Sequence, residues 1–146
     1  MATTSSGETR AGAALVTCLL MLAAGCGRES TYPVEGVVKF RGDDQPATDL
    51  AGGAVVFTST DLKESSKGII GGDGTFRLET LDARDGAMLR KYKVAVIPPV
   101  NEGAARKSRT VDSRFASPVT SPIEVEITKG PNQFEVIVEA FKGKGK

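Results

Sequence analysis

The side chains able to do chemistry in this sequence are few and scattered. There is no histidine, which removes the commonest general base and the commonest metal ligand. Both cysteines, Cys18 and Cys26, lie within or at the end of an apolar run near the N-terminus, so the remainder has no thiol for a disulfide, a zinc site or nucleophilic attack. Glu124, Glu126, Glu135 and Glu139 recur at every second position of two alternating stretches. Paired catalytic carboxylates need a concave site, and a flat sheet face does not offer one, so these glutamates read as solubilising charge. Asp73, in Gly71-Gly72-Asp73-Gly74, lacks the Asp-x-Asp spacing and the bidentate Glu of a calcium loop; it reads as a turn residue. Tyr92 has no acid or base partner in the pattern and reads as a core residue whose hydroxyl caps a corner. Ser108 and Ser113 define no Ser-Lys pair. No catalytic residue, metal site or cofactor is expected, and the chain reads as a non-enzyme.

One basic cluster invites a binding role. Arg106, Lys107, Arg109 and Arg114 fall in Val100–Thr120, a stretch with no apolar period, and long loops of this kind are often functional. They form a possible contact loop for anionic lipid head groups, polysaccharide or a partner protein; the plain alternative is a solvated crossover between two sheets. Arg41-Gly42-Asp43 spells the tripeptide read by cell-adhesion receptors, but its setting is that of an ordinary turn. The net charge is +1, and the first 25 residues carry only Glu8 and Arg10, so the balance survives their removal. Nucleic acid is not an expected partner.

At the N-terminus, Met1–Arg10 is polar and Ala11–Ala24 is an uncharged run of small and apolar residues. That run is short of the roughly twenty residues a membrane span needs and has the layout of an export signal. It ends in Leu22-Ala23-Ala24-Gly25-Cys26, which resembles the lipobox of bacterial lipoproteins. The resemblance implies cleavage before Cys26 and acylation of its thiol. Residues 1–25 are then a lipoprotein signal peptide, 26–31 a polar tether, 32–141 the folded domain and 142–146 a disordered Gly-Lys tail. The expected location is the cell envelope, on a membrane held through the lipidated cysteine.

The folded part is sized for one core. With 17 Gly, 7 Pro and no Trp, its composition favours turns over long helices. Tyr32–Phe40 alternates, with Val34, Val38 and Phe40 on one face; Ala54–Thr58, Thr75–Glu79 and Leu89–Ile97 repeat the signal. Gly71–Gly74 marks a hairpin, Pro98-Pro99 a strand end, and Ile123–Ile127 with Phe134–Glu139 a terminal hairpin across Lys129-Gly130-Pro131-Asn132. About seven strands predict an all-β, two-sheet Greek-key sandwich of prealbumin- or immunoglobulin-like kind; a small closed barrel would use the same alternation.

Four stretches together carry a wider resemblance: Tyr-Pro-Val-Glu-Gly-Val-Val at 32–38, Gly-Asp-Gly-Thr-Phe-Arg-Leu at 72–78, Arg-Lys-Tyr-Lys-Val-Ala-Val at 90–96 and Ser-Arg-Phe-Ala-Ser-Pro-Val-Thr-Ser-Pro-Ile at 113–123. With the lipobox, their order resembles small bacterial lipoproteins that carry a transthyretin-like, carboxypeptidase regulatory-like domain. Where such families often read Pro-Gly-Lys-Tyr before this strand, Leu89-Arg90-Lys91 stands here. The resemblance implies a β-sandwich without catalytic residues, serving as an accessory or binding module for an envelope protein or glycan. A carbohydrate-binding module is the alternative; the absence of Trp and the presence of only two Tyr leave few aromatics for sugar stacking.

Overall fold

Alternating sequence becomes a strand wherever one face can be buried, and the described residues do this repeatedly. In a computed structural model, residues 30–79, 86–100 and 109–142 are described. They form β1 (Thr31–Tyr32), β2 (Val34–Phe40), β3 (Ala54–Ser59), β4 (Ser65–Ile69), β5 (Thr75–Arg77), β6 (Ala87–Met88), β7 (Lys91–Ile97), β8 (Glu124–Glu126) and β9 (Asn132–Val138). Single 3-10 turns occur at Thr48–Leu50 and Ser113–Phe115.

Strands β5-β2-β9 make one layer of an all-β sandwich and β4-β3-β7-β8 the other, while β1 and β6 form a separate short ladder. The seven strands of the two layers match the sequence expectation. The two-residue β1 and β6 exceed it, because strands this short leave no alternation to read.

The inner faces follow the period-2 rule. Val34, Val38 and Phe40 of β2, Val55 and Phe57 of β3, and Val94 and Val96 of β7 are all buried. Phe57 is fully buried, and its ring centroid lies 6.1 Å from Phe76, 6.2 Å from Tyr92 and 6.0 Å from Phe134. One aromatic therefore joins both layers. Gly36 takes its place in the inward row of β2 because a Cβ there would come within 2.6 Å of the Phe76 ring. Tyr92 is buried and its hydroxyl donates to the Met88 carbonyl at 3.3 Å, which is the corner role expected of it.

Two connections differ from expectation. The terminal hairpin does not form: β8 pairs with β7, whereas β9 pairs in parallel with β2, Val34 opposite Asn132 through Phe40 opposite Val138. The cause is local. The buried Asn132 side chain donates to Thr128 O at 3.0 Å and Gly130 O at 2.9 Å, and the Asn132 N–H donates to Pro33 O at 2.9 Å. These bonds close the turn and carry the chain across to the other layer.

The Gly71–Gly74 turn does form, closed by Gly71 N–H to Thr75 O at 2.7 Å. Its strands then split between layers, β4 onto β3 and β5 onto β2, meeting again at Lys67 and Glu79. Asp73 is the turn residue, accepting from Thr75 N–H at 3.0 Å and Thr75 Oγ1 at 2.7 Å, bonds that hold its carboxyl below the usual range.

Candidate functional site

Because β2 and β9 run in the same direction, the sandwich has two distinct ends. The start of β2 gathers with the Thr60–Glu64 turn, Met88–Lys91 and Thr128–Asn132 through Thr60 N–H to Lys91 O (3.2 Å), Ile127 N–H to Arg90 O (2.9 Å) and the Asn132–Pro33 bond. We term this the tether end, because Ser30, in the 26–31 stretch expected from the sequence to be a tether, lies beside Met88–Arg90. The finish of β2 gathers with Arg41–Ala47, Gly74 and Asp112 through Arg41 N–H to Val138 O (2.7 Å), Val38 N–H to Gly74 O (3.0 Å) and Asp112 N–H to Glu139 O (2.9 Å). This is the far end.

Of the sequence-selected residues, Cys26, Arg106 and Lys107 lie outside the described residues. Arg109 and Arg114 sit at the far end, and both are engaged within the chain. Arg109 pairs with Asp43, donates from Nε to Asp49 Oδ2 at 3.1 Å, and lies with Cζ 4.2 Å from the Phe40 ring centroid. Arg114 pairs with Glu139 and lies 4.8 Å over the Phe115 ring. Charge and ring face together hold residues 109–115 onto the Phe40–Leu50 stretch and the end of β9. The same contacts take up both charges of Arg41-Gly42-Asp43, as Arg41 Nε lies 2.8 Å from Glu139 Oε1.

The stretch read as an unpatterned loop thus contributes to the core: Val111 and Phe115 are buried, and Val111 bridges Ala140. A single apolar residue at an isolated bridge, as Val111, or in a 3-10 turn, as Phe115, carries no period, so the sequence pattern does not mark it.

The four glutamates are not brought together. Glu124 and Glu126 belong to β8, Glu135 to β9 and Glu139 to the residue after it. Lys93 Nζ stands 2.7 Å from Glu124, whose carboxyl is held below its usual range by that hydrogen bond and charge. Lys39 Nζ stands 2.7 Å from Glu135. Held below its usual range, the Glu124 carboxyl is a poor proton donor near neutral pH. Among the described residues, no group of three His, Cys, Asp or Glu side chains could hold a metal ion.

Sequence reading gave no hint of one concave feature. A shallow, solvent-open depression of about 720 Å³ lies on the outer face of β5-β2-β9, lined in part by Glu35, Val37, Thr75, Arg77, Gln133 and Glu135. Arg77 Nε donates to Glu35 Oε1 at 2.9 Å across adjacent strands. The surface mixes small apolar and paired polar groups and offers a concave shape for binding. Alternation places these residues on the solvent face, and no local pattern shows that they border a depression.

Compared with known proteins, the chain matches no family model and no curated sequence. Two solved structures are similar to part of it. A DUF3823 family protein from Parabacteroides merdae shares 17% identity at a TM-score of 0.43, covering 77% of this chain and 48% of that one. The major pilin subunit of Bacillus cereus shares 13% identity at a TM-score of 0.46, covering 77% of this chain and 30% of that one. The chain therefore spans less than half the length of either.

Proposed function

We propose that this chain is a non-enzymatic, lipid-anchored protein of the bacterial cell envelope, exported, cut before Cys26 and held on a membrane by acyl chains on that thiol. Its sandwich, of transthyretin-like kind, serves as an interaction or structural module for an envelope protein or glycan. The observation that carries the reading is Leu22-Ala23-Ala24-Gly25-Cys26 closing an uncharged run and followed at once by polar Gly27-Arg28-Glu29-Ser30. Each buried methylene of an acyl chain contributes about 0.8 kcal/mol, so two or more chains hold a small domain firmly. A role without chemistry is supported by the far-end arginines, which pair with Asp43, Asp49 and Glu139, and by Glu124 and Glu135, which pair with Lys93 and Lys39.

Labelled palmitate tests the anchor. The wild-type chain expressed in a bacterium takes up label and sediments with membranes, and Cys26→Ser loses both. A Cys26→Ser chain that still labels and sediments contradicts the reading. The depression beside Arg77 is the feature a glycan-binding module would use, although the nearest rings, Phe76 and Phe134, are buried and half-buried. Glycan-array binding abolished by Arg77→Ala would establish that alternative.

A further inference from the structure

The tether end has a surface that the reading above does not use. Leu62 is 53% exposed in a turn and Leu89 is 42% exposed in a bend. The two segments are tied side by side by Arg90 Nη1 to Asp61 Oδ2 at 3.2 Å and by the Thr60–Lys91 backbone bond. Lys63 follows Leu62 in the left-handed region with a φ of +57°, and the Leu62 N–H donates to Ser59 Oγ at 3.1 Å. Lys63, Lys91 and Lys129, all exposed, lie at the same end; none forms an ion pair among the described residues, and Lys91 stands opposite Glu126 with its charge felt by Glu124. Among the described residues, the acidic groups at this end are Asp61, engaged by Arg90, and the exposed Glu64 and Glu126.

Ser30 shares a small depression with Tyr32, Met88, Leu89 and Arg90. The chain thus joins the fold next to one of the two leucines. The four steps along the chain from Cys26 to Ser30 reach at most about 14 Å when fully extended, and an interfacial side chain needs to sink only about 5–10 Å into the head-group boundary. An acylated Cys26 therefore holds this end within contact distance of the bilayer.

We propose that the tether end is a membrane-docking surface, with Leu62 and Leu89 inserted at the head-group level and Lys63, Lys91 and Lys129 facing anionic lipid. This rests on acylation at Cys26. Docking fixes the orientation of the sandwich and presents the far end outward.

The test uses the full acylated chain in vesicles of phosphatidylethanolamine and phosphatidylglycerol containing a nitroxide-bearing lipid. The mature chain has no other free thiol, so a fluorophore can be attached singly at Leu62→Cys, Leu89→Cys or, at the far end, Val100→Cys. Quenching at 62 and 89 about threefold above that at 100 is expected for side chains at the interface. Hydrogen exchange on the unlabelled chain, in vesicles against detergent, should show added protection at 61–64 and 88–91 but not at 42–44, and needs no variant to fold. Equal quenching at all three positions, or none at 62 and 89 in acylated protein, overturns docking and leaves the anchor intact. A mass without acyl chains overturns the anchor itself, and docking with it.

Discussion

The two ends of the sandwich use charge in opposite ways. At the far end, Arg41, Arg109 and Arg114 are engaged by Asp43, Asp49 and Glu139, and two of them lie over aromatic rings. At the tether end, Lys63, Lys91 and Lys129 have no such partner among the described residues, and two leucines stand exposed beside them. A basic cluster that looks like a contact surface in the sequence is in part a clasp on its own chain. Lysines that look like scattered solubilising charge are the ones left to face outward.

Removing what the ends share should damage both. Phe57→Ala opens a cavity among three aromatic partners and should cost about 4 kcal/mol, read as a lower urea midpoint with a single cooperative transition. Separate loss of one end would show that the layers are less coupled than the ring contacts imply.

Glycine substitutions should then split the ends. Gly86, at a φ of +124°, has no room for a Cβ, which would overlap the Tyr32 carbonyl. Gly42, at a φ of +87°, has open space around it. Gly86→Ala should cost about 3 kcal/mol, combining backbone strain with a clash that displaces β1, and Gly42→Ala about 1 kcal/mol from strain alone. Equal costs would remove the distinction.

Charge deletions sharpen it further. Arg109→Ala leaves Asp43 and Asp49 unpaired and bares Phe40, and should cost about 1 kcal/mol at low salt, less at high salt because the group is part-exposed. Lys63→Gln, with no partner to lose, should change stability by less than about 0.5 kcal/mol. A comparable loss for the two, by chemical denaturation, would contradict the division of labour.

The smallest expected effect is on pH. The Ser59 hydroxyl, which donates to Asp61 at 2.6 Å, and then Arg90 hold that carboxyl below its ordinary range. A carboxylate that binds its proton less tightly when folded stabilises the fold above its unfolded pKa, and this contribution fades as pH falls below about 4. Asp61→Asn should lower stability at pH 6 and flatten the acid limb of a stability–pH curve. An unchanged acid limb would show that the Arg90–Asp61 tie between the two turns carries no stability.

Much of the layer structure was legible because it is local. Val34, Val38 and Phe40, or Tyr92, Val94 and Val96, announce their strands and inward faces by alternation alone. Partner choice was not. Nothing in Gln133–Val138 indicates that it lies beside Glu35–Phe40, and the Lys129–Asn132 turn has hairpin composition although Asn132 turns it toward Pro33. Val111 and Phe115 enter the core from an unpatterned stretch, held by Arg109 and Arg114, whose charges pointed outward in the sequence reading. The tether end was equally hidden, since Leu62 and Leu89 are far apart in sequence and only the Arg90–Asp61 pair and the Thr60–Lys91 bond bring them together.

The claim on which the account turns is acylation at Cys26, and intact-mass analysis of the wild-type chain extracted from bacterial membranes tests it most directly. The account predicts a mature chain beginning at Cys26 and heavier than its polypeptide by a diacylglyceryl group, with or without a further acyl chain. A chain that keeps residues 1–25, or one that begins near Ala24 or Cys26 with no added lipid mass, would contradict it.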